Sequence, residues 1–171
     1  MITVDQLTKR FGGNIAVDSL GFNVKRGEIF GIVGPDGAGK STLLRMMAGI
    51  MAPTSGSIII DGMNVAQNRF NIKESLAYMP QRFGLYEDLT VEENIRFFGR
   101  LFGVSGGEID KRTPKLYDFS RLGPFKDRLA GNLSGGMKQK LGLACCLIHS
   151  PGLILLDEPT NGVDPVSRRE F

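Results

Sequence analysis

The sequence predicts an α/β fold that has an antiparallel β part near its N-terminus and a helical insert in its middle. Three observations support this prediction. Apolar and polar residues alternate over much of residues 2–24, which is typical of half-buried strands. A glycine-rich loop separates an apolar run at residues 28–33 from a helical pattern at residues 41–50. Residues 89–128 place apolar side chains at helical spacing.

The N-terminal elements follow from these patterns in chain order. Alternation over residues 2–7 predicts a first strand, which a glycine turn at residues 11–14 joins to a second strand at residues 16–24. The run at residues 28–33 has the short, apolar character of a buried strand. Residues 57–60 predict a further strand that ends at an Asp-Gly turn.

The second half of the chain is mostly helical by pattern. Thr90 followed by Glu93 matches a capping box, which marks the start of a helix. Further helices are predicted at residues 109–122 and 134–148. The apolar run at residues 152–156 predicts a fully buried strand.

Length and composition limit the possible classes of protein. We assign residues 1–171 to one domain, with a helical subdomain at about residues 85–135. Hydrophobic residues make up 42% and charged residues 23% of the chain, as in ordinary globular proteins. The net charge of +3 comes without a clustered basic stripe, so we expect no nucleic-acid partner. The sequence shows neither a signal-peptide pattern nor an apolar run long enough for a membrane span.

The cysteines and the histidine have structural interpretations. Cys145 and Cys146 are adjacent in an apolar helical pattern, which predicts buried core residues rather than a disulfide framework. His149 follows this pattern, so we expect it at a helix C-terminus. Its spacing from the cysteines fits no familiar metal site.

A phosphate-binding pattern, G-x-x-x-x-G-K-[ST], follows the first buried-strand pattern and precedes a helical pattern. Glycines let successive backbone N–H groups point towards phosphate oxygens, and the helix N-terminus adds positive charge. We expect the Lys40 ammonium to reach the β- and γ-phosphates, and the Ser41 hydroxyl to ligate Mg²⁺. The predicted phosphate loop consists of Gly34, Pro35, Asp36, Gly37, Ala38, Gly39, Lys40, Ser41 and Thr42. This pattern alone does not separate ATPases from kinases and GTPases.

Two carboxylates, Asp157 and Glu158, follow the last apolar strand pattern. The carboxyl end of a buried parallel strand lies at the ligand-binding edge of such a sheet. Asp157 is therefore a candidate to hold the magnesium shell, and Glu158 is a candidate to polarise the attacking water. The alternative is that both acids are merely solvated side chains at the end of a strand. The presence of a phosphate loop in the same chain makes this alternative the less favoured of the two.

A Leu-Ser-Gly-Gly segment begins the helical pattern at residues 134–148. Ser134 matches a helix N-cap, and Gly135 and Gly136 leave the amides of the first turn open to an anion. Glycine is a poor helix former, so its use here indicates contact with a ligand. These three residues are candidate nucleotide contacts.

The phosphate loop, the Leu-Ser-Gly-Gly segment and the Leu-Ile-Leu-Leu-Asp-Glu-Pro-Thr sequence occur in this order. Together they resemble the nucleotide-binding domain of ATP-binding cassette (ABC) transporters of the bacterial multidrug-export type, over essentially the whole chain. The resemblance implies a P-loop NTPase core, ATP and Mg²⁺ as cofactors, and ATP hydrolysis coupled to transport. By position it implies adenine binding at Phe11 and Ala16. It also makes Gln81 the Q-loop glutamine, which contacts Mg²⁺ and senses the γ-phosphate, and Lys40, Gln81 and Glu158 the catalytic residues.

The resemblance also implies two protein partners. A second nucleotide-binding domain pairs head to tail, so that each ATP lies between one phosphate loop and the Leu-Ser-Gly-Gly segment of the other domain. Residues 161–164 match the D-loop of the family. A transmembrane permease subunit is the other partner, and Phe83, Leu85 and Tyr86 suit either a groove that receives it or the protein core. The expected location is peripheral, at the cytoplasmic face of the inner membrane.

Two features depart from the pattern of the family. Asp36 places a carboxylate in the phosphate loop, and we expect it to point away from the phosphates. The family has a strand with a switch histidine beyond Glu158, between the phosphate-loop strand and the Asp157 strand. The sequence given ends at Phe171 before this strand, and His149 lies too early to replace it. We therefore expect a fragment of a longer protein that, by itself, binds ATP weakly and hydrolyses it poorly.

Three functional hypotheses follow. The first is the energy-coupling subunit of a transporter, most simply an exporter, because the Met-Lys-Gln-Lys and Glu-Pro-Thr-Asn-Gly-Val-Asp-Pro stretches look like those of bacterial export cassettes. The second is a soluble cassette ATPase that acts on ribosomes or DNA, although the short helical insert disfavours chromosome-type relatives. The third is a degraded cassette that only binds nucleotide. The first hypothesis is preferred.

Overall fold

The computed structural model describes residues 1–160 of the chain. The chain divides into two compact units, Met1–Leu76 and Ala77–Phe171. The first unit contains the N-terminal sheet and the phosphate loop, and the second contains most of the helices. The assignment of residues 1–171 to one domain, with a helical subdomain at about residues 85–135, stays a prediction.

An antiparallel sheet forms most of the first unit, as the alternating pattern predicts. Its strands are β1 (Ile2–Phe11), β2 (Asn14–Val24), β3 (Ser55–Ile60) and β4 (Met63–Asn64), in the order β2-β1-β3-β4. All neighbouring pairs are antiparallel. The apolar residues of the first alternation, Ile2, Val4 and Leu7, are buried. Two helices complete the unit, α1 (Lys40–Met47) and α2 (Arg69–Ser75).

Helix α1 ends at Met47, earlier than its helical pattern predicts. The helical pattern extends to residue 50, whereas Gly49 adopts a φ of 67°, in the left-handed region. The N–H groups of Gly49 and Ile50 donate to the carbonyls of Met46 and Arg45, at 3.1 and 3.0 Å. This pair of bonds is a Schellman motif, which satisfies the last carbonyls of a helix and ends it.

Residues 28–33 differ from the buried strand that their apolar run predicts. They form no strand, and Ile29 and Val33 are 101% and 96% exposed. Phe30 is half exposed and stacks on Phe22 of β2, with ring centroids 5.0 Å apart. A strand needs neighbours that complete its backbone hydrogen bonds, and no described residue pairs with this segment in a sheet. The prediction of a buried strand is therefore wrong for the described part of the chain.

The second unit combines helices with a small sheet. Its elements are β5 (Leu76–Met79, of which the first residue counts to the first unit), α3 (Val91–Leu101), α4 (Gly106–Ser120), α5 (Gly135–Leu147) and β6 (Leu153–Leu156), with 3₁₀ turns at Gly123–Phe125 and Ala130–Asn132. Ile95 of α3, Ile109 of α4 and Leu141 of α5 meet in one apolar core. This core explains the helical apolar spacing of the sequence.

Strand β6 is less buried than its apolar sequence predicts. Leu155 is buried, whereas Ile154 and Leu156 are 42% and 38% exposed. Among residues 1–160, β6 pairs with β5 alone. A sheet of two strands covers little of either face, so the prediction of a fully buried strand is wrong for these residues.

The cysteines and the histidine lie where the sequence predicts. Cys145 and Cys146 are buried in α5, and burial raises the pKa of both thiols, to about 12 for Cys146. Burial has this effect because it disfavours the charged thiolate. His149 follows the C-cap of α5, and its ring stacks on Phe102 with the centroids 4.2 Å apart.

Helix α3 begins with the predicted capping box. The Thr90 hydroxyl accepts a hydrogen bond from the Glu93 N–H at 3.2 Å, and the Thr90 N–H donates to the Glu93 carboxylate at 2.8 Å. Both bonds lower the pKa of Glu93, the one from the backbone N–H most strongly, because they stabilise its charged form. The box satisfies two N–H groups that would otherwise lack partners at the helix N-terminus.

Asn94 is a buried polar residue that the sequence analysis did not single out. Its side chain is fully buried. Its Oδ1 accepts from the Tyr86 N–H at 3.0 Å, and its Nδ2 lies within hydrogen-bonding distance of the carbonyls of Tyr86, Leu89 and Thr90. The amide of Asn94 therefore ties residues 86–90 to the first turn of α3.

We expect Asn94→Leu to lower the free energy of unfolding by about 3 kcal/mol, because buried backbone groups lose their partners. Urea unfolding followed by circular dichroism measures this loss. Thr90→Ala serves as the control, since it removes only one cap interaction and is expected to cost about 1 kcal/mol. Equal losses in the two variants would contradict the role assigned to Asn94.

Candidate functional site

The phosphate loop curls through two glycines in the left-handed conformation. Gly37 and Gly39 have φ angles of 81° and 86°, and Gly39 is the N-cap of α1. Lys40 begins the helix, and its Nζ donates to the carbonyl oxygens of Gly34 and Pro35, at 2.9 Å each. The ammonium is therefore held over the loop at the positive end of a helix, where anions bind.

Close packing fixes the loop against β2. A Cβ atom at Gly39 would overlap the carbonyl oxygen of Ala16, so the backbone approaches β2 more closely than a side chain allows. Ala16 therefore lies beside the start of α1.

Phe11, at the end of β1, is 48% exposed, and Lys9 Nζ lies 5.1 Å from its ring centroid. Adenine binding by Phe11 and Ala16 stays a prediction.

Asp36 is the unusual residue of the loop. Its side chain is fully exposed, and its Oδ1 lies 4.0 Å from Lys40 Nζ. An ion pair this exposed contributes little to stability, but its carboxylate neighbours the ammonium that is expected to bind phosphate. Whether Asp36 points away from bound phosphates stays a prediction. Ser41 and Thr42 follow in the first turn of α1, and Ala38 precedes it.

Two hydrogen bonds join the carboxylates after β6 to residues in and after β5. The Tyr78 hydroxyl donates to Asp157 Oδ2 at 3.1 Å, and Gln81 Nε2 donates to Glu158 Oε2 at 3.1 Å. Asp157 is only 2% exposed. The second unit thus brings together Gln81, Asp157 and Glu158, which the sequence predicts, and adds Tyr78, which the sequence analysis missed.

Glu158 has a strained backbone. Its φ of 50° lies in the left-handed region, which costs a residue other than glycine on the order of 1–3 kcal/mol. Such strain persists only where the surrounding structure enforces it, and it clusters at functional sites. Five other described residues, Gln6, Ser19, Asp61, Arg121 and Ser150, have similar φ angles. The conformation therefore does not by itself assign a function, and the catalytic role of Glu158 stays a prediction.

Ser134 caps α5, as the sequence predicts. Its hydroxyl oxygen accepts a hydrogen bond from the Met137 N–H at 3.3 Å. Gly135 is the first residue of the helix, and Gly136 follows it. The first turn of α5 therefore presents backbone amides without side chains over them. Contact of these residues with a nucleotide stays a prediction.

An open groove of about 640 Å³ lies beside the start of α5. It is lined by residues that follow β5 and by residues of α5, namely Gln81, Arg82, Phe83, Gly84, Leu85, Glu87, Gly135, Lys138 and Gln139. The ammonium of Lys138 donates a hydrogen bond at 2.8 Å to the Glu87 carboxylate, which lowers the pKa of Glu87. Phe83 and Leu85 are half-buried, whereas Tyr86 is 48% exposed. These aromatic and aliphatic residues therefore divide between the core and the surface.

The predicted magnesium ligands offer oxygen atoms, which Mg²⁺ prefers. They are the hydroxyl of Ser41, the amide oxygen of Gln81 and the carboxylate of Asp157. Gln81 donates to Glu158 through its amide nitrogen, so its amide oxygen is the atom that could face a cation. Mg²⁺ is commonly held by one or two carboxylates together with substrate phosphates. Each of these oxygen donors therefore suits this ion by its chemistry, and their joint binding of Mg²⁺ stays a prediction. Residues 1–160 contain no cluster of three or more His, Cys, Asp or Glu side chains that could hold a metal.

The predicted site residues are distributed over the two units. The phosphate loop, Phe11 and Ala16 lie in the first unit, and the Q-loop glutamine, the carboxylates and the Leu-Ser-Gly-Gly segment lie in the second. The D-loop, predicted at residues 161–164, lies outside the described residues. Within the part of the chain that the structure describes, no helix has the length and apolar character needed to cross a membrane.

Fold and site together define an α/β nucleotide-binding protein, in which a phosphate loop precedes a helix and two carboxylates follow a strand. The sequence matches the family model described as ABC transporter over residues 17–161. The chain therefore belongs to the ABC transporter family. The family and the fold class predicted from the sequence are both confirmed.

Two curated relatives have names that specify transport. The probable multidrug ABC transporter ATP-binding protein YbhF of Escherichia coli (strain K12) is 52% identical over 173 aligned residues, which cover 100% of this chain and 30% of that protein. The Nod factor export ATP-binding protein I of Cupriavidus metallidurans is 40% identical over 168 residues, covering 98% of this chain and 55% of that protein. The chain thus spans about a third of the length of the first relative and about half of the length of the second.

A solved structure extends the similarity to three dimensions. It is a dimeric ATP-binding cassette, MJ0796, in a post-hydrolysis state bound to ADP and Pi. It matches this chain with a TM-score of 0.85 and 29% sequence identity, over 99% of this chain and 79% of its own. The fold of this chain is therefore that of an ABC ATPase domain.

Proposed function

We propose that this chain binds ATP with Mg²⁺ and, paired with a second nucleotide-binding domain, hydrolyses ATP to power an exporter. The phosphate loop carries the proposal. Gly37 and Gly39 in the left-handed conformation, the N-terminus of α1 and the Lys40 ammonium all lie within one short segment. Backbone N–H groups and a lysine in this arrangement bind the β- and γ-phosphates of a nucleoside triphosphate.

The adenine base is proposed to bind in the first unit. Phe11 presents a half-exposed ring at the end of β1, and an aromatic face of this kind stacks on a base. Ala16 packs beside Gly39 and therefore lies next to the phosphate loop. A small side chain at Ala16 leaves room for a nucleotide there.

Glu158 is the proposed catalytic base. Its Oε2 accepts a hydrogen bond from Gln81 Nε2, which orients the carboxylate. In the reaction, Glu158 accepts a hydrogen bond from the attacking water, while Lys40 stabilises charge on the γ-phosphate oxygens. Mg²⁺ is proposed to be held by Ser41, Gln81 and Asp157. When it is bound, it would neutralise charge on the β- and γ-phosphates.

The second nucleotide-binding domain is proposed to pair head to tail with this one. Ser134, Gly135 and Gly136 would then contact the ATP held by the phosphate loop of the partner domain. The N-terminus of α5 suits that contact, because amides of a first helical turn attract anions. The dimeric state of MJ0796 supports the pairing.

A transmembrane permease is the second proposed partner, which would place this chain at the cytoplasmic face of the inner membrane. The groove beside α5 is the proposed docking surface, with half-buried Phe83 and Leu85 and exposed Tyr86 near it. The names of both curated relatives, one for multidrug transport and one for Nod factor export, favour export. They give no support to the alternative of an ATPase that acts on ribosomes or DNA.

The isolated 171-residue chain is expected to bind ATP weakly and to hydrolyse it slowly. Residues 28–33 lead directly into the phosphate loop, yet they are largely exposed and pair with no described strand. A loop whose preceding segment is not held in a sheet orients its N–H groups poorly. Addition of a segment that supplies a neighbouring strand is expected to raise the activity.

Magnesium-dependent phosphate release tests this expectation. The 171-residue chain is compared with a version that is extended by the segment following the aligned region in the Escherichia coli relative, each with and without Mg²⁺. We expect turnover only with Mg²⁺ and a markedly higher rate in the extended protein. Equal rates in the two proteins would show that the exposed segment does not limit activity. Failure of both proteins to bind ATP would overturn the proposed function itself.

A further inference from the structure

Tyr78 lies on the face of β5 opposite to the apolar core. Its neighbours Ala77 and Met79 are 2% and 0% exposed, and both belong to an apolar cluster with Leu143 and Cys146 of α5. Side chains alternate between the two faces of a strand. Tyr78 therefore points away from this cluster, and core packing on α5 does not explain its ring.

The hydroxyl of Tyr78 contacts the predicted metal-binding carboxylate. It donates to Asp157 Oδ2 at 3.1 Å, while the Asp157 N–H donates to the Met79 carbonyl at 2.9 Å. Asp157, at 2% exposure, is thus held by β5 through both its backbone and its side chain. Burial of a carboxylate is costly unless hydrogen bonds replace those that it made to water. Hydrogen bonds to charged groups are about twice as strong as those between neutral groups.

We propose that Tyr78 is a positioning residue for magnesium, acting through the orientation of the Asp157 carboxylate. This inference rests on the function proposed above. The Tyr78 bond occupies one of the roughly four lone-pair sites of the carboxylate, and it fixes the orientation in which the remaining sites are offered to a metal ion or its bound water. Partners that hydrogen-bond to metal ligands typically change metal affinity by about 10–100-fold.

The test compares Tyr78→Phe with the wild-type protein and with Tyr117→Phe. Phenylalanine keeps the ring and removes only the hydroxyl. Tyr117 of α4 is the matched control, because its buried hydroxyl has no hydrogen-bond partner among residues 1–160. Mn²⁺ binding is measured by electron paramagnetic resonance with saturating ADP, which requires no turnover. ADP affinity in EDTA is measured in parallel.

Mn²⁺ affinity is expected to fall by about 10–100-fold in Tyr78→Phe and to stay near the wild-type value in Tyr117→Phe. ADP affinity without metal should be the same in all three proteins. In an Asp157→Asn background, Tyr78→Phe should have little further effect, because it acts through that carboxylate.

Unchanged Mn²⁺ affinity in Tyr78→Phe would overturn the proposal. Equal losses in both tyrosine variants, or a Tyr78→Phe protein that does not fold, would overturn it too, since the hydroxyl would then have only a structural role. A wild-type protein that binds neither ADP nor Mn²⁺ with ADP would overturn the proposed function, and this inference with it. The two failures are therefore distinguishable.

Discussion

Replacement of Glu158 by glutamine is expected to lower the rate of magnesium-dependent ATP hydrolysis by about 10²–10⁴-fold, which general acid–base catalysis typically contributes. Glutamine keeps the shape of the side chain. Its amide oxygen can still accept the hydrogen bond that Gln81 Nε2 donates to Glu158 at 3.1 Å. The amide cannot act as a base towards the attacking water, so hydrolysis is lost while ATP binding persists.

Two measurements separate these effects. Phosphate release at saturating ATP gives the turnover rate, and titration with a fluorescent ATP analogue gives the affinity. Glu108→Gln is the control, because Glu108 is a half-exposed carboxylate in the first turn of α4 that pairs with Lys111 and Arg112. We expect it to leave both quantities unchanged. A turnover rate near that of the wild type in Glu158→Gln would show that Glu158 is not the catalytic base.

The second large effect is expected at Gly39. An added methyl group would overlap the Ala16 carbonyl, and the φ of 86° strains any residue other than glycine. Because the overlap is with backbone, the loop must shift, and the shift would displace the N–H groups that are proposed to bind phosphate. We expect Gly39→Ala to lower ATP affinity by about 100-fold, equivalent to about 2.8 kcal/mol.

Gly37→Ala separates steric overlap from backbone strain. Gly37 has a similar φ of 81°, but a methyl group there would meet no atom within 4 Å among the described residues. Left-handed strain alone costs about 1–2 kcal/mol, so we expect roughly a tenfold loss of affinity. Isothermal titration calorimetry with ATP compares the two variants. Equal losses would mean that strain accounts for both, and that packing against Ala16 is unimportant.

Elements with local signals could be predicted from the sequence. Thr90 and Glu93 satisfy each other across one turn, so their spacing alone fixes the start of α3. The same holds for Ser134 at the start of α5. Burial depends on distant neighbours, and the apolar run at residues 28–33 says nothing about which strand completes its hydrogen bonds. The exposure of Ile154 in the two-stranded sheet has the same cause.

The candidate site likewise contains residues that could be predicted from local sequence and residues that could not. The conformation of the phosphate loop could be predicted because it depends on the backbone of one short segment, with Lys40 at its end. Tyr78 could not, because its partner Asp157 is 79 residues away and a tyrosine in a strand usually indicates packing. Asn94 was missed because its partners are backbone groups, which leave no sequence pattern.

The two buried cysteines make this chain well suited to site-directed labelling. They are its only cysteines, and burial raises the pKa of both thiols, so few thiolates are present near pH 7. A cysteine introduced at an exposed position such as Leu101 of α3, which is 64% exposed, would therefore take up a probe without removal of the native pair. Distances between such probes on two chains would test whether two copies pair as proposed and whether their separation changes when ATP is added.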